Sequence, residues 1–106
     1  MCKQKRQRAA EMARVMKAMG HPERVFIMEQ LTRREHTVSE LAELLERSTP
    51  TVSKHLSVLK NAGLVQSRKE GTTAWYRTEC KCMLTFHSCA SDVAREEVNR
   101  MKQILD

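Results

Sequence analysis

The residues with the most chemistry to offer are four cysteines, Cys2, Cys80, Cys82 and Cys89. Cys80-Lys81-Cys82 is a Cys-x-Cys pair, and Cys89 follows Cys82 by seven residues. Thiolates from Cys80, Cys82 and Cys89 suit a thiophilic ion: trivalent arsenic or antimony takes a set of sulfurs alone, whereas zinc or cadmium ordinarily wants one ligand more, for which His87 or Cys2 is available. On one continuous helix the step from Cys82 to Cys89 rises about 10.5 Å, too far for both to grip one ion. Either residues 80 to 84 are non-helical and fold back over Cys89, or Cys89 comes from another subunit, which would join the ion to dimer geometry. A second chemistry needs only a pair of thiols, closing a disulfide or sulfur bridge on oxidation with Lys81 favouring the thiolate. The plain alternative is that Cys89 is a small buried apolar residue and that Cys2, Cys80 and Cys82 are incidental.

A second set of candidates lies between Thr49 and Asn61. At about 100° per residue, Val52, Leu56 and Leu59 make one buried stripe, with Lys54, Ser57 and Asn61 opposite it and Thr51 and Ser53 on its flanks. Thr49 and Lys60 complete the polar surface, and the segment contains no carboxylate. Lysines and hydroxyls suit the phosphate contacts that position a helix on duplex DNA, and Thr51, Ser53 and Ser57 are also able to reach base edges or a thymine methyl. His55 sits about 60° from the centre of the stripe, so that packing on the core and contact with a base are both open to it. Further on, Arg68, Lys69, Thr72 and Thr73 form a basic segment fit for phosphates or the minor groove, or else a solvated charged turn. A net charge of +6 in 106 residues and a pI near 9.5 favour a polyanionic partner.

The elements that must carry these residues follow from hydrophobic period and punctuation. Met12, Val15, Met16 and Met19 predict a first helix from Arg6 to Met19, stopped at Gly20. His21-Pro22 restarts the chain, and Val25-Phe26-Ile27-Met28 with Leu31 reads as a buried central helix. Thr37 and Glu40 form a capping box ahead of a third helix bearing Val38, Leu41, Leu44 and Leu45. Thr49-Pro50 predicts an N-cap and N1 for a fourth helix ending at Asn61-Ala62-Gly63. Leu64–Lys69 and Thr73–Thr78 flank a Gly71 turn as a β-hairpin. From Met83 to the end, Met83, Phe86, Ala90, Val93, Ala94, Val98, Met101 and Leu105 keep a helical period.

The expected fold is mainly α with a two-stranded β wing, one domain over 1–106: a helix-turn-helix at 38–62, a wing at 64–78 and a terminal helix at 82–105. In that order of elements the second helix of the motif enters the major groove. The first and last helices carry Met-rich stripes that a small monomer would leave bare, so Met12, Met16, Met83, Phe86, Ala90, Val98, Met101 and Leu105 are the expected homodimer seam. No apolar run reaches bilayer-spanning length, and Lys3, Lys5, Arg6 and Arg8 lead into no hydrophobic stretch, so a soluble, cytoplasmic protein without a membrane partner is expected. The chain has no phosphate loop, nucleophile elbow or His-Glu-x-x-His, which argues against an enzyme. A lone Cys-x-Cys without a second pair argues against a zinc ribbon.

Ser48-Thr-Pro-Thr-Val-Ser-Lys-His-Leu-Ser-Val-Leu-Lys-Asn-Ala-Gly-Leu-Val65, with Arg68, Gly71 and Tyr76 behind it, resembles the ArsR/SmtB family of small metal- and thiol-sensing repressors. The resemblance implies a homodimer of five or six helices with a two-stranded wing, bound to double-stranded DNA at an inverted-repeat operator and released by an effector. Many members hold a soft metal on Cys-Val-Cys at the start of the third helix, where this chain has Thr37 and Ser39 instead. Another family site uses aspartate and histidines of the last helix, where this chain offers Asp92 and His87 without repeated histidine pairs. Cys80, Cys82 and Cys89 resemble the arrangement in members that sense arsenite through cysteines of this region. The implied function is repression of a resistance or homeostasis operon, relieved by As(III), Sb(III) or another thiophilic ion such as Cd or Zn. The alternatives are a redox- or persulfide-responsive repressor of the same fold and an effector-independent DNA-binding or dimerising module.

Overall fold

The computed structural model describes residues 2–79 and 82–105, with the backbone alone for 82–88. Its elements in order are α1 (Lys3–Ala18), α2 (Pro22–Arg33), β1 (His36–Thr37), α3 (Val38–Leu45), α4 (Thr49–Asn61), β2 (Gln66–Glu70), β3 (Thr73–Arg77) and α5 (Cys82–Leu105). The winged helix-turn-helix architecture expected from the sequence is present.

Helix starts are fixed by local side chains. His21 caps α2, its Nδ1 accepting from the Glu23 amide at 3.1 Å, with Pro22 at N1 where no amide is needed. The Thr37 hydroxyl accepts from the Glu40 amide at 3.1 Å while the Glu40 carboxylate accepts from the Thr37 amide at 3.2 Å, completing the capping box of α3. The cap of α4 is Ser48, one residue earlier than the sequence suggests. Pro50 therefore occupies N2, which suits it equally because that amide also lacks an intrahelical partner.

Two left-handed residues shape the motif. Glu46, at φ 55°, turns the chain between α3 and α4, and the next amide, of Arg47, bonds back to the Ala42 carbonyl at 3.0 Å. Gly63, at φ 79°, ends α4, with Gly63 donating to the Lys60 carbonyl and Leu64 to the Leu59 carbonyl at 2.9 and 3.0 Å. Together these bonds form a Schellman closure.

The sheet has strand order β1-β3-β2, all antiparallel. The hairpin wing was expected; β1 was not. Its two residues pair His36 with Tyr76 and Thr37 with Trp75, so the wing is stitched to the start of α3. Glu70 lies opposite Thr73 and the turn is Gly71-Thr72, with a positive φ of 66° at Gly71. Positive φ at the first turn position alone is the sign pattern of a type II′ turn, which matches strand twist.

The core joins Ile27, Met28 and Leu31 of α2, Leu41 and Ala42 of α3, and Val52, Leu56 and Leu59 of α4, closed by Leu64 and Val65. α1 adds buried Ala18 and half-buried Val15, with Met19 just beyond its end. The stripes of the outer helices stay bare in the single chain: Met12, Met16, Val93, Val98 and Met101 are half exposed or more, and Ile104 and Leu105 are 83% and 85% exposed. Ala90 is exposed as well. The side chains of Met83 and Phe86 lie outside the described residues. Among the described residues no helix is long and apolar enough to cross a membrane.

Candidate nucleic-acid interface

α4 buries Val52, Leu56 and Leu59 completely, which commits its opposite face to solvent. Lys54, Ser57 and Asn61 are exposed there with Val58 at the edge, and Thr49, Ser53 and Lys60 are exposed on the flank. Thr51 is half-buried, its hydroxyl 2.9 Å from the Ser48 hydroxyl. The face is therefore a strip of short polar groups and cations without a carboxylate. Lys60 reaches sideways, its Nζ donating to the Ser67 hydroxyl of β2 at 2.8 Å, and so ties the helix to the wing.

His55 does not belong to this face. It turns inward, with Nε2 3.0 Å from Glu23 Oε2 and its ring tilted against that of His21 at 4.5 Å between centroids. Of the two roles open to it, packing on the core is the one adopted. Glu23 also accepts from Arg47 Nε at 2.7 Å. That hydrogen bond is the main reason its carboxyl is held below the usual glutamate range; partial burial opposes the effect and the His55 contact adds to it. One carboxylate in the first turn of α2 thus fixes both the turn of the motif and the middle of α4.

In the wing, Arg68 stands directly across from Trp75 and lays its guanidinium 5.6 Å from that ring's centroid. Its Nη2 donates to Glu35 at 2.7 Å and its Nη1 to Glu70 at 3.0 Å. The Glu35 bond in turn holds the Glu35 carboxyl low. Arg68 is therefore a strut between the wing and the segment before β1, and the exposed side chains nearest the turn are Lys69, Glu70, Thr72 and Thr73, with Glu70 accepting from Arg68. Sequence spacing located this face but missed Glu23, Arg47 and Glu35, whose partners lie 24 to 33 residues away.

Cys2 and Cys89 are exposed thiols in the single chain. Cys82 opens α5, and the helix runs unbroken through Cys89. The fold-back over Cys89 from residue 82 onward is thereby excluded. Cys80 lies outside the described residues. Among the described residues no His, Cys, Asp or Glu side chains converge as metal ligands.

The profile described as "Bacterial regulatory protein, arsR family" matches residues 21–67, from the cap of α2 into β2. The chain is 42% identical over 65 residues to HTH-type transcriptional regulator KmtR of Mycobacterium tuberculosis, covering 61% of this chain and 50% of KmtR. It is 39% identical over 70 residues to the Biofilm growth-associated repressor of Agrobacterium fabrum, covering 66% of this chain and 60% of that protein. The match thus spans 50% to 60% of the length of these relatives. The homodimeric winged helix-turn-helix DNA-binding domain Mb0332 from Mycobacterium bovis superposes with a TM-score of 0.79 at 29% identity, over 94% of this chain and 93% of that one. Fold and exposed face together define a winged helix-turn-helix domain. The chain belongs to the arsR family of bacterial regulatory proteins.

Proposed function

We propose that this regulator is a repressor that binds an inverted-repeat operator as a homodimer, with α4 in the major groove and the wing on the flanking backbone. The observation that carries this reading is the exposed face of α4, where Lys54, Ser53 and Ser57 stand free of any acidic neighbour on the helix. Phosphates would be met by Lys54, Lys60 and Lys69, and base edges by Thr51, Ser53 and Ser57. The bare apolar stripes of α1 and α5 supply the dimer seam, as a homodimeric neighbour of the same fold suggests.

The effector in this reading is a thiophilic ion, arsenite or antimonite first and cadmium or zinc next, held by Cys80, Cys82 and Cys89. Because α5 separates Cys82 from Cys89 by about 10.5 Å of helical rise, one ion shared by all of them requires Cys89 of the partner subunit. Such a site would couple ion binding to the dimer geometry that sets the spacing of the recognition helices. A second reading, a thiol redox or persulfide switch, is favoured by the exposure of Cys89 and Cys2.

The test follows duplex binding by the fully reduced protein under anaerobic conditions as each ion is added, with near-ultraviolet absorption read in parallel. The expected result is a saturating sulfur-to-metal band and loss of DNA at the same stoichiometry, both abolished in Cys82→Ser and Cys89→Ser. DNA retained with every ion, but released by polysulfide or peroxide, would replace the ion with the redox switch.

A further inference from the structure

A cleft of about 450 Å³ opens between α1, α2 and the last turns of α4. It lies in the range of small-molecule sites, roughly 300–1,000 Å³. Its cations are Arg14 and Lys17 of α1 and Arg24 of α2, with Asn61 of α4 beside them; Ala18 and Val58 supply apolar wall. Lining residues fall at i, i+3 and i+4 on α1, and Val58 and Asn61 of α4 are joined by its C-cap Ala62, so the cleft is made mainly by helix faces. On α1 this face is roughly opposite Met12 and Met16, and a dimer seam on those methionines leaves the cleft open.

Arg24 is the group that calls for a ligand. It is the third residue of α2, in the first turn, where the helix dipole disfavours a cation. Its Nε is buried and has no hydrogen-bond partner among the described residues, a state that a folded chain rarely leaves uncorrected. Among the described residues no carboxylate lines the cleft, where Arg14, Lys17 and Arg24 meet. A planar guanidinium and an ammonium at the mouth of a partly apolar cleft suit an oxyanion attached to an apolar body.

We propose that this cleft binds a small organic anion, a carboxylate or phosphate ester, with the anionic group on Arg24, Arg14 and Lys17 and the apolar part against Val58 and Ala18. Occupancy would fix the carboxy-terminal half of α4 against α1. Its consequence for operator affinity rests on the DNA-binding reading above; the binding itself does not.

The experiment is an NMR titration of the full ¹⁵N-labelled chain with phenyl phosphate and benzoate at constant ionic strength, with benzylamine as the cation of similar shape. The expected result is saturable displacement of the Arg24 Nε–Hε and Asn61 side-chain amide signals by the anions and none by the amine. Arg24→Gln, or the surface pair Arg14→Gln with Lys17→Gln where Arg24→Gln does not fold, weakens binding by about tenfold or more, and Arg24→Lys restores part of it. Shifts that stay linear with concentration, that collect on Lys54 and Lys69 instead, or that survive in the folded variants overturn the proposal. So does movement of the Arg24 signal by duplex DNA alone, with a salt slope lowered in Arg24→Gln, which would make the group a backbone contact.

Discussion

Nε2 of His55 lies 3.0 Å from Oε2 of Glu23, joining the centre of α4 to the first turn of α2 beneath it. The same carboxylate holds Arg47 in the turn of the motif. The angle at which α4 is presented is thus set by a polar anchor as well as by the apolar stripe of Val52, Leu56 and Leu59.

This anchor gives a signed pH dependence. The Glu23 carboxyl is held below its ordinary value of 4.5, chiefly by the Arg47 hydrogen bond, so its contribution to stability is complete above about that pH and is lost as pH falls through the lowered value. Glu35 and Glu40 are shifted in the same direction by Arg68 and by the Thr37 amide, and they leave an acid slope of their own. In Glu23→Gln the acid loss of stability is therefore shallower and duplex affinity at neutral pH is lower. Urea unfolding midpoints measured as pH is lowered provide the check, and curves for the two proteins that differ only by a constant offset would count against the anchor.

Glu46 bears a side chain at a left-handed position, φ 55°. An L-residue pays roughly 1–2 kcal/mol there and glycine almost none. Glu46→Gly is expected to raise stability by about 1 kcal/mol, and Glu46→Val to lower it, because branching at Cβ worsens the clash. Chemical denaturation decides the sign, and a less stable glycine variant would refute the reading of this turn.

Val98 and Met101, 50% and 57% exposed on α5, stand at the proposed seam. A glutamate at either position buries a charge on association and should give monomers by sedimentation, with operator binding lost alongside. A dimer that persists in both variants would move the seam off this stripe.

Interactions within a few residues were legible in the sequence and distant ones were not. Thr37 and Glu40 reveal their capping box because the motif is closed within one turn of chain. The Ser48 cap was displaced to Thr49 because proline fits N1 and N2 equally well. Periodicity put His55 at the margin of the buried stripe, but its partner Glu23 is 32 residues away and only the packed helices bring the two together. β1 is two residues long and exists through its pairing with Tyr76 and Trp75, so no local pattern announces it. The orphaned Nε of Arg24 is likewise a product of packing.

The most direct test of the central claim is duplex binding by fluorescence anisotropy over a range of salt concentrations, for the unaltered chain, Lys54→Ala and Ser53→Ala. If α4 reads DNA, Lys54→Ala weakens binding to every sequence and reduces the slope of log affinity against log salt by about one, while Ser53→Ala leaves the slope and changes which sequences are preferred. Unchanged affinity, slope and preference in both variants would contradict the assignment of α4 as the recognition helix.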